Sequence, residues 1–78
     1  MVEFMKKDGQ RVAYDAQTDN AYPVSALAMK IAKTGILTPP MTEDLPSSLR
    51  YAFAKYDSQD LAEAYAELYV LYTKGILF

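Results

Sequence analysis

In the first third of the chain the apolar residues Val2, Phe4, Val12, Tyr14, Tyr22 and Val24 all fall on even positions. Such alternation is the period of a sheet with one buried face, because successive side chains of a strand point to opposite sides. The spacing predicts strands over about 2–7, 10–15 and 20–24, separated by turns at Lys7-Asp8-Gly9 and Ala16-Gln17-Thr18-Asp19-Asn20. The first turn can close in two ways. A two-residue Asp8-Gly9 loop pairs Phe4 with Ala13 and Met5 with Val12, which splits the apolar residues over both faces. A three-residue loop with a left-handed Gly9 pairs Phe4 with Val12 and Val2 with Tyr14, gathering them on one face. The shared parity favours the three-residue loop. Pro23 lacks an N–H, so the third strand belongs at a sheet edge.

After Ser25 the period changes. Ser25 stands at an N-cap position ahead of Ala26-Leu27-Ala28-Met29-Lys30-Ile31-Ala32-Lys33, and Gly35 follows, predicting a helix over about 26–34. Thr38-Pro39-Pro40-Met41-Thr42 cannot continue a helix and reads as a linker within one domain. A second helix is expected over about 47–56, capped by Ser47 or Ser48 and carrying Leu49, Tyr51, Ala52, Phe53 and Ala54. The third, over about 58–74, places Leu61, Tyr65, Leu68 and Tyr72 on one helical face, with Asp60 in the first turn and Lys74 in the last. Ala32-Lys33-Thr34-Gly35-Ile36-Leu37 and Tyr72-Thr73-Lys74-Gly75-Ile76-Leu77 end alike. The likeness goes no further upstream and reflects a shared glycine C-cap with an apolar contact, not an internal repeat.

Composition narrows the function. Seventy-eight residues make a single domain, 1–78, since neither half could bury a core alone. A hydrophobic share of 51%, seven tyrosines, three phenylalanines and a net charge of −2 describe a folded globule, not a disordered chain. There is neither cysteine nor histidine. Thiolate and imidazole ligands, a cysteine nucleophile, an iron–sulfur cluster and a histidine base are therefore all excluded. No nucleophile–base pair or glycine-rich phosphate loop stands in their place, so the expectation is a non-catalytic domain without cofactor or metal. Asp15, Asp19, Asp57, Asp60, Glu63 and Glu67 read as turn acceptors, caps and a solvated helix face. A fold without disulfides suits the cytoplasm. The first residues do not read as a signal peptide, and the longest apolar runs are far short of a membrane span, so no membrane partner is expected.

Three strands followed by three helices, the last long and closed by Lys74-Gly75-Ile76-Leu77-Phe78, resemble the PqqD-like peptide recognition domain. The resemblance is closest to the copies at the N-termini of radical-SAM peptide maturases. It is carried by Tyr14-Asp15 to Tyr22-Pro23-Val24-Ser25, by the helix after Ser25, and by Asp60-Leu61-Ala62-Glu63-Ala64-Tyr65 through Gly75-Ile76-Leu77-Phe78, and it spans nearly the whole chain. It implies an α+β, winged-helix-like fold: a three-stranded antiparallel β-meander followed by three α-helices. It also implies a function. Such a domain binds the leader segment of a ribosomally synthesised precursor peptide by adding it as a strand to the third strand, packs it against the last helix, and presents it to a modifying enzyme in cis or trans.

On this sequence the receiving edge is Ala21, Tyr22, Pro23 and Val24. On the last helix Leu61, Ala64, Tyr65, Leu68 and Tyr72 are expected to face the core. The flank formed by Ala62, Ala66 and Tyr69, with Tyr65 at its border, is expected to wall the peptide, and the opposite flank, Leu71 with Ala64, is the alternative. Glu63 and Glu67 suit a cationic leader segment. The closing Gly-Ile-Leu-Phe reads as the end of a domain from a larger enzyme, or of a discrete partner protein. In a radical-SAM parent the cluster would belong to another domain, since this one has no cysteine.

Two other functions share parts of this pattern. A winged-helix nucleic-acid reader needs a basic stripe, whereas the helix around Ser48 to Lys55 offers only Arg50 and Lys55 and the long helix is acidic. No nucleic-acid partner is expected on those grounds. A homo-oligomerisation domain using its tyrosine-rich face is the other, and the expected state is a monomer or weak dimer. Tyrosines at helical spacing are also ordinary half-buried core residues.

Overall fold

In a computed structural model that describes residues 2–78, the chain forms β1 (Val2–Lys7), β2 (Gln10–Asp15), β3 (Asn20–Pro23), α1 (Ala26–Lys33), α2 (Ser47–Ala52) and α3 (Ser58–Thr73). Met1, the first residue of the expected domain, lies outside the described residues. The expected α+β order of a three-stranded antiparallel meander followed by three helices is the order observed. The sheet runs β1-β2-β3, which makes both β1 and β3 edges. Among the described residues no helix is long and apolar enough to cross a membrane.

The β1–β2 register corrects the expected one. Asp8 and Gly9 have φ of 52° and 80°. Two consecutive left-handed residues make a two-residue type I′ hairpin, whose twist matches that of the strands it joins. Phe4 therefore pairs with Ala13 and Met5 with Val12. Val2, Phe4, Ala13 and Tyr22 share the face beneath the helices, while Met5, Val12, Tyr14 and Pro23 share the outer face. Val12 is nonetheless only 4% exposed. Lys7, opposite Gln10, reaches along the outer face to set its ammonium 4.8 Å from the Tyr14 ring centroid, so its stem crosses the row in which Val12 sits between Met5 and Pro23. Parity misled because one of the even-numbered apolar residues, Val12, is buried on the far side of the sheet.

The helix boundaries follow local chemistry. Ser25 Oγ accepts from Ala28 N at 3.1 Å and caps α1 as expected. Neither Ser47 nor Ser48 caps α2, because the extended residue before the helix is Pro46, whose carbonyl receives Leu49 N and Arg50 N. That helix stops at Ala52 instead of residue 56, since Phe53 leaves helical geometry (φ −115°, ψ 36°) as its ring enters the core. Asp57 caps α3, and its Oδ1 accepts from Gln59 N at 2.8 Å and Asp60 N at 3.4 Å. The two alike helix ends diverge in detail. At Gly75, Ile76 N bonds Leu71 O and Gly75 N bonds Tyr72 O, a Schellman closure. Before Gly35 the Thr34 hydroxyl does this work, donating to Ile31 O at 2.6 Å and accepting from Ile36 N at 3.2 Å.

The core lies among the sheet, α1 and α3. Ala13, Ala28, Ile31, Leu49, Leu61, Ala64, Tyr65, Leu68 and Leu71 form one buried cluster, joined by Met41 from the loop and Leu77 from the tail. Two fully covered alanines, Ala13 and Ala28, let α1 approach the sheet closely. Leu71 occupies the buried position expected of Tyr72, which is half-buried at the margin.

Candidate functional site

The pairing pattern determines what the β3 edge offers. Val24 N donates to Arg11 O at 3.0 Å, so the backbone groups of Asn20, Tyr22 and Val24 face β2, and those of Ala21 and Pro23 face outward. Pro23 has no N–H to present. The next outward donor, Ser25 N–H, is held by Glu67 Oε1 at 2.7 Å. The row available to another strand is thus the N–H and C=O of Ala21 and the C=O of Pro23.

The Ser25–Glu67 bond also marks which side of α3 lies beside this edge. Asp60, Glu63 and Glu67 recur at three- and four-residue steps and share a helical flank with Ala64. With Ser25 and Leu27 at the start of α1 they line a cleft of about 420 Å³. Gln59 Nε2 donates to Glu63 Oε2 at 2.9 Å, and across the cleft Lys30 Nζ donates to the Tyr56 hydroxyl at 2.8 Å. Opposite charges therefore stand on the two walls, with the carboxylates in excess. Among the described residues no three acidic side chains converge as a metal-ligand set.

The sequence-predicted residues divide between two places. Ala21 and Pro23 are exposed on the edge, while Tyr22 and Val24 turn their side chains to the core. The structure does not bring Ala62, Tyr65, Ala66 and Tyr69 to that edge. Tyr65 is 3% exposed and donates its hydroxyl to Thr42 O at 2.6 Å, which ties that side chain to the 38–46 loop. Burial pushes the Tyr65 phenol above its ordinary value, and the hydrogen bond to Thr42 partly opposes the rise. Ala62 lines a separate hollow with Leu45, Arg50 and Phe53. Tyr69 packs its ring 6.2 Å from that of Tyr72, and Ala66 points to solvent. The flank beside the end of β3 is therefore the one that carries Ala64 and Leu71, the alternative wall, with Asp60, Glu63 and Glu67 as its polar members.

Sequence reasoning named Ser25 as a helix cap and Glu67 as an acidic face residue, and missed the hydrogen bond that joins them. They are 42 residues apart, and no local pattern joins a helix cap to a distant carboxylate. The acidic recurrence at 60, 63 and 67 was the available signal. On the sheet's outer face, Tyr14 donates to Asp19 Oδ1 at 2.6 Å, and that bond to a carboxylate raises its pKa. It belongs to the β2–β3 turn and does not face the cleft. Compared with protein-family models, with curated proteins and with solved structures, the chain matches none.

Proposed function

We propose that this chain is a non-catalytic docking module that takes up the leader segment of a ribosomally made precursor peptide at the β3 edge and presents it to a modifying enzyme. The observation that carries this reading is the continuity of two features: an outward backbone row at Ala21 and Pro23, and a cleft that begins at Ser25 and runs along α3. A peptide laid antiparallel to β3 exchanges two main-chain hydrogen bonds with Ala21 and donates a third to Pro23 O. Its next residues then pass Ser25 and reach Asp60, Glu63 and Glu67. Backbone pairing supplies sequence-independent affinity, and the carboxylates select lysine or arginine just beyond the paired residues. The PqqD-like resemblance agrees with strand addition here, with the acidic flank of α3 in place of the tyrosine flank.

Titration of the isotope-labelled chain with a basic leader peptide and, separately, with duplex DNA tests this reading by backbone amide shifts. Saturable shifts at Ala21, Ser25 and residues 60–67, produced by the peptide, are expected. Shifts produced by DNA alone and vanishing as salt rises would overturn it.

A further inference from the structure

The second sheet edge is less guarded than the first. Because Arg11, Ala13 and Asp15 face β3, the groups of Gln10, Val12 and Tyr14 face β1, and their partners there are Lys7, Met5 and Glu3. The N–H and C=O groups of Phe4 and Lys6 point away from the sheet, and among the described residues neither N–H meets an acceptor. No proline interrupts the strand. Beneath it opens an apolar cleft of about 230 Å³ lined by Val2, Phe4, Ala32, Leu37, Leu77 and Phe78.

We propose that a second copy of this chain pairs with this edge, β1 against β1, antiparallel about a two-fold axis at Met5. Directly opposed residues of an antiparallel ladder are either both hydrogen-bonded or both not, so an outward-facing residue must oppose another outward-facing one. That rule leaves few two-fold registers, and charge separates them. With Glu3 on the axis, carboxylate opposes carboxylate. With Phe4 on the axis, Glu3 opposes Met5 and Lys6 opposes Val2, so no ion pair forms. With Met5 on the axis, Glu3 of each copy opposes Lys7 of the other on the outer face, where the ammonium leaves its own Tyr14 ring for the partner's carboxylate, and Phe4 opposes Lys6 on the helical face. Each Phe4–Lys6 pair exchanges two main-chain hydrogen bonds, and the lysine stem lies over the partner's phenylalanine ring. Both helical layers stand on the same side of the resulting sheet, so the two apolar cleft walls meet across the axis.

The paired lysines that guard an edge against indiscriminate association here choose one register. The combined sheet, β3-β2-β1-β1-β2-β3, keeps both β3 edges on the outside, so this assembly stands independently of the peptide reading. Sedimentation equilibrium of the full chain from micromolar to millimolar concentration tests it. The molar mass is expected to double with rising concentration. Lys6→Pro removes an outward donor at an exposed edge position and is expected to remain monomeric with a native amide spectrum. Glu3→Lys is expected to weaken pairing about ten-fold, and Glu3→Lys combined with Lys7→Glu to restore it, since the swap rebuilds both ion pairs. That charge cycle decides the matter if the proline variant does not fold. A wild-type chain that stays monomeric throughout overturns the proposal, as does undiminished dimerisation by folded Lys6→Pro. A peptide that shifts the Phe4 and Lys6 amides of a monomeric chain also overturns it, assigning the edge to a foreign strand.

Discussion

On one flank of α3, Asp60, Glu63 and Glu67 border a cleft that continues from the β3 edge; on the other, buried Tyr65 bonds Thr42 O of the 38–46 loop and half-buried Tyr69 and Tyr72 pack ring against ring. Both flanks adjoin the same ridge of Leu61, Ala64, Leu68 and Leu71. The tyrosine flank carries more apolar surface, and for that reason it is the one the fold uses up. Its phenol finds a backbone carbonyl and its rings find each other, so the contact area an aromatic offers a ligand is already spent on packing. The acidic flank cannot be buried without partners for its charges, and it stays open.

The contrast can be broken most severely at the ridge. Leu68 is fully buried, and Leu68→Ala is expected to cost about 2–5 kcal/mol, read as a lower urea midpoint, with both flanks disordered together. Next comes the closed flank. Tyr65→Phe removes the hydrogen bond to Thr42 O and is expected to cost about 0.5–1.5 kcal/mol while leaving peptide affinity unchanged.

The same tyrosine gives an alkaline signature. Its pKa is raised in the fold, so above about pH 10, where the unfolded phenol ionises, the unfolded state binds fewer protons than the native one. The contribution is full below that pH and is lost as pH climbs toward the folded value. Wild-type protein should therefore lose stability above pH 10 more steeply than Tyr65→Phe in parallel denaturation series.

The open flank should behave in the opposite manner. Glu67→Gln retains an acceptor for Ser25 N–H, so stability is expected to change by less than about 0.5 kcal/mol. Affinity for a basic peptide should nonetheless fall several-fold in calorimetric titration, with a weaker salt dependence. At the small end, Pro23→Ala adds one outward N–H and is expected to tighten docking by one neutral hydrogen bond, about 0.5–1.5 kcal/mol. Ala66→Arg, on the solvent side of α3, should alter neither stability nor docking. A clear loss of affinity there would return the groove to the flank read from sequence.

Much of this architecture was legible because it rests on short-range chemistry. Ser25 caps α1 as its type predicts, both glycines at helix ends take left-handed geometry, and Pro23 lies on an edge strand. Where reading failed, two local signals competed or a nonlocal one was needed. At Lys7-Asp8-Gly9 the Asp-Gly pair specified a type I′ turn while the parity of the apolar residues argued for a bulge, and the turn prevailed. At Phe53, the pull of the core on one ring ended a helix whose periodicity ran further.

Taken alone, the amino-acid sequence determined the order and type of every element, the absence of thiol and imidazole side chains, and all of the buried stripe of α3 but its last position, where Leu71 stands in for Tyr72. Those properties depend on residue type and on spacings of a few positions. Only the tertiary structure decided which flank of that stripe meets the β3 edge. Helical periodicity fixes how α3 is rotated about its axis but not on which side of it the sheet edge lies. That depends on how the 34–57 segment lays the helix across the sheet. The choice is recorded in one bond, Ser25 N–H to Glu67, between groups 42 residues apart that no local rule relates.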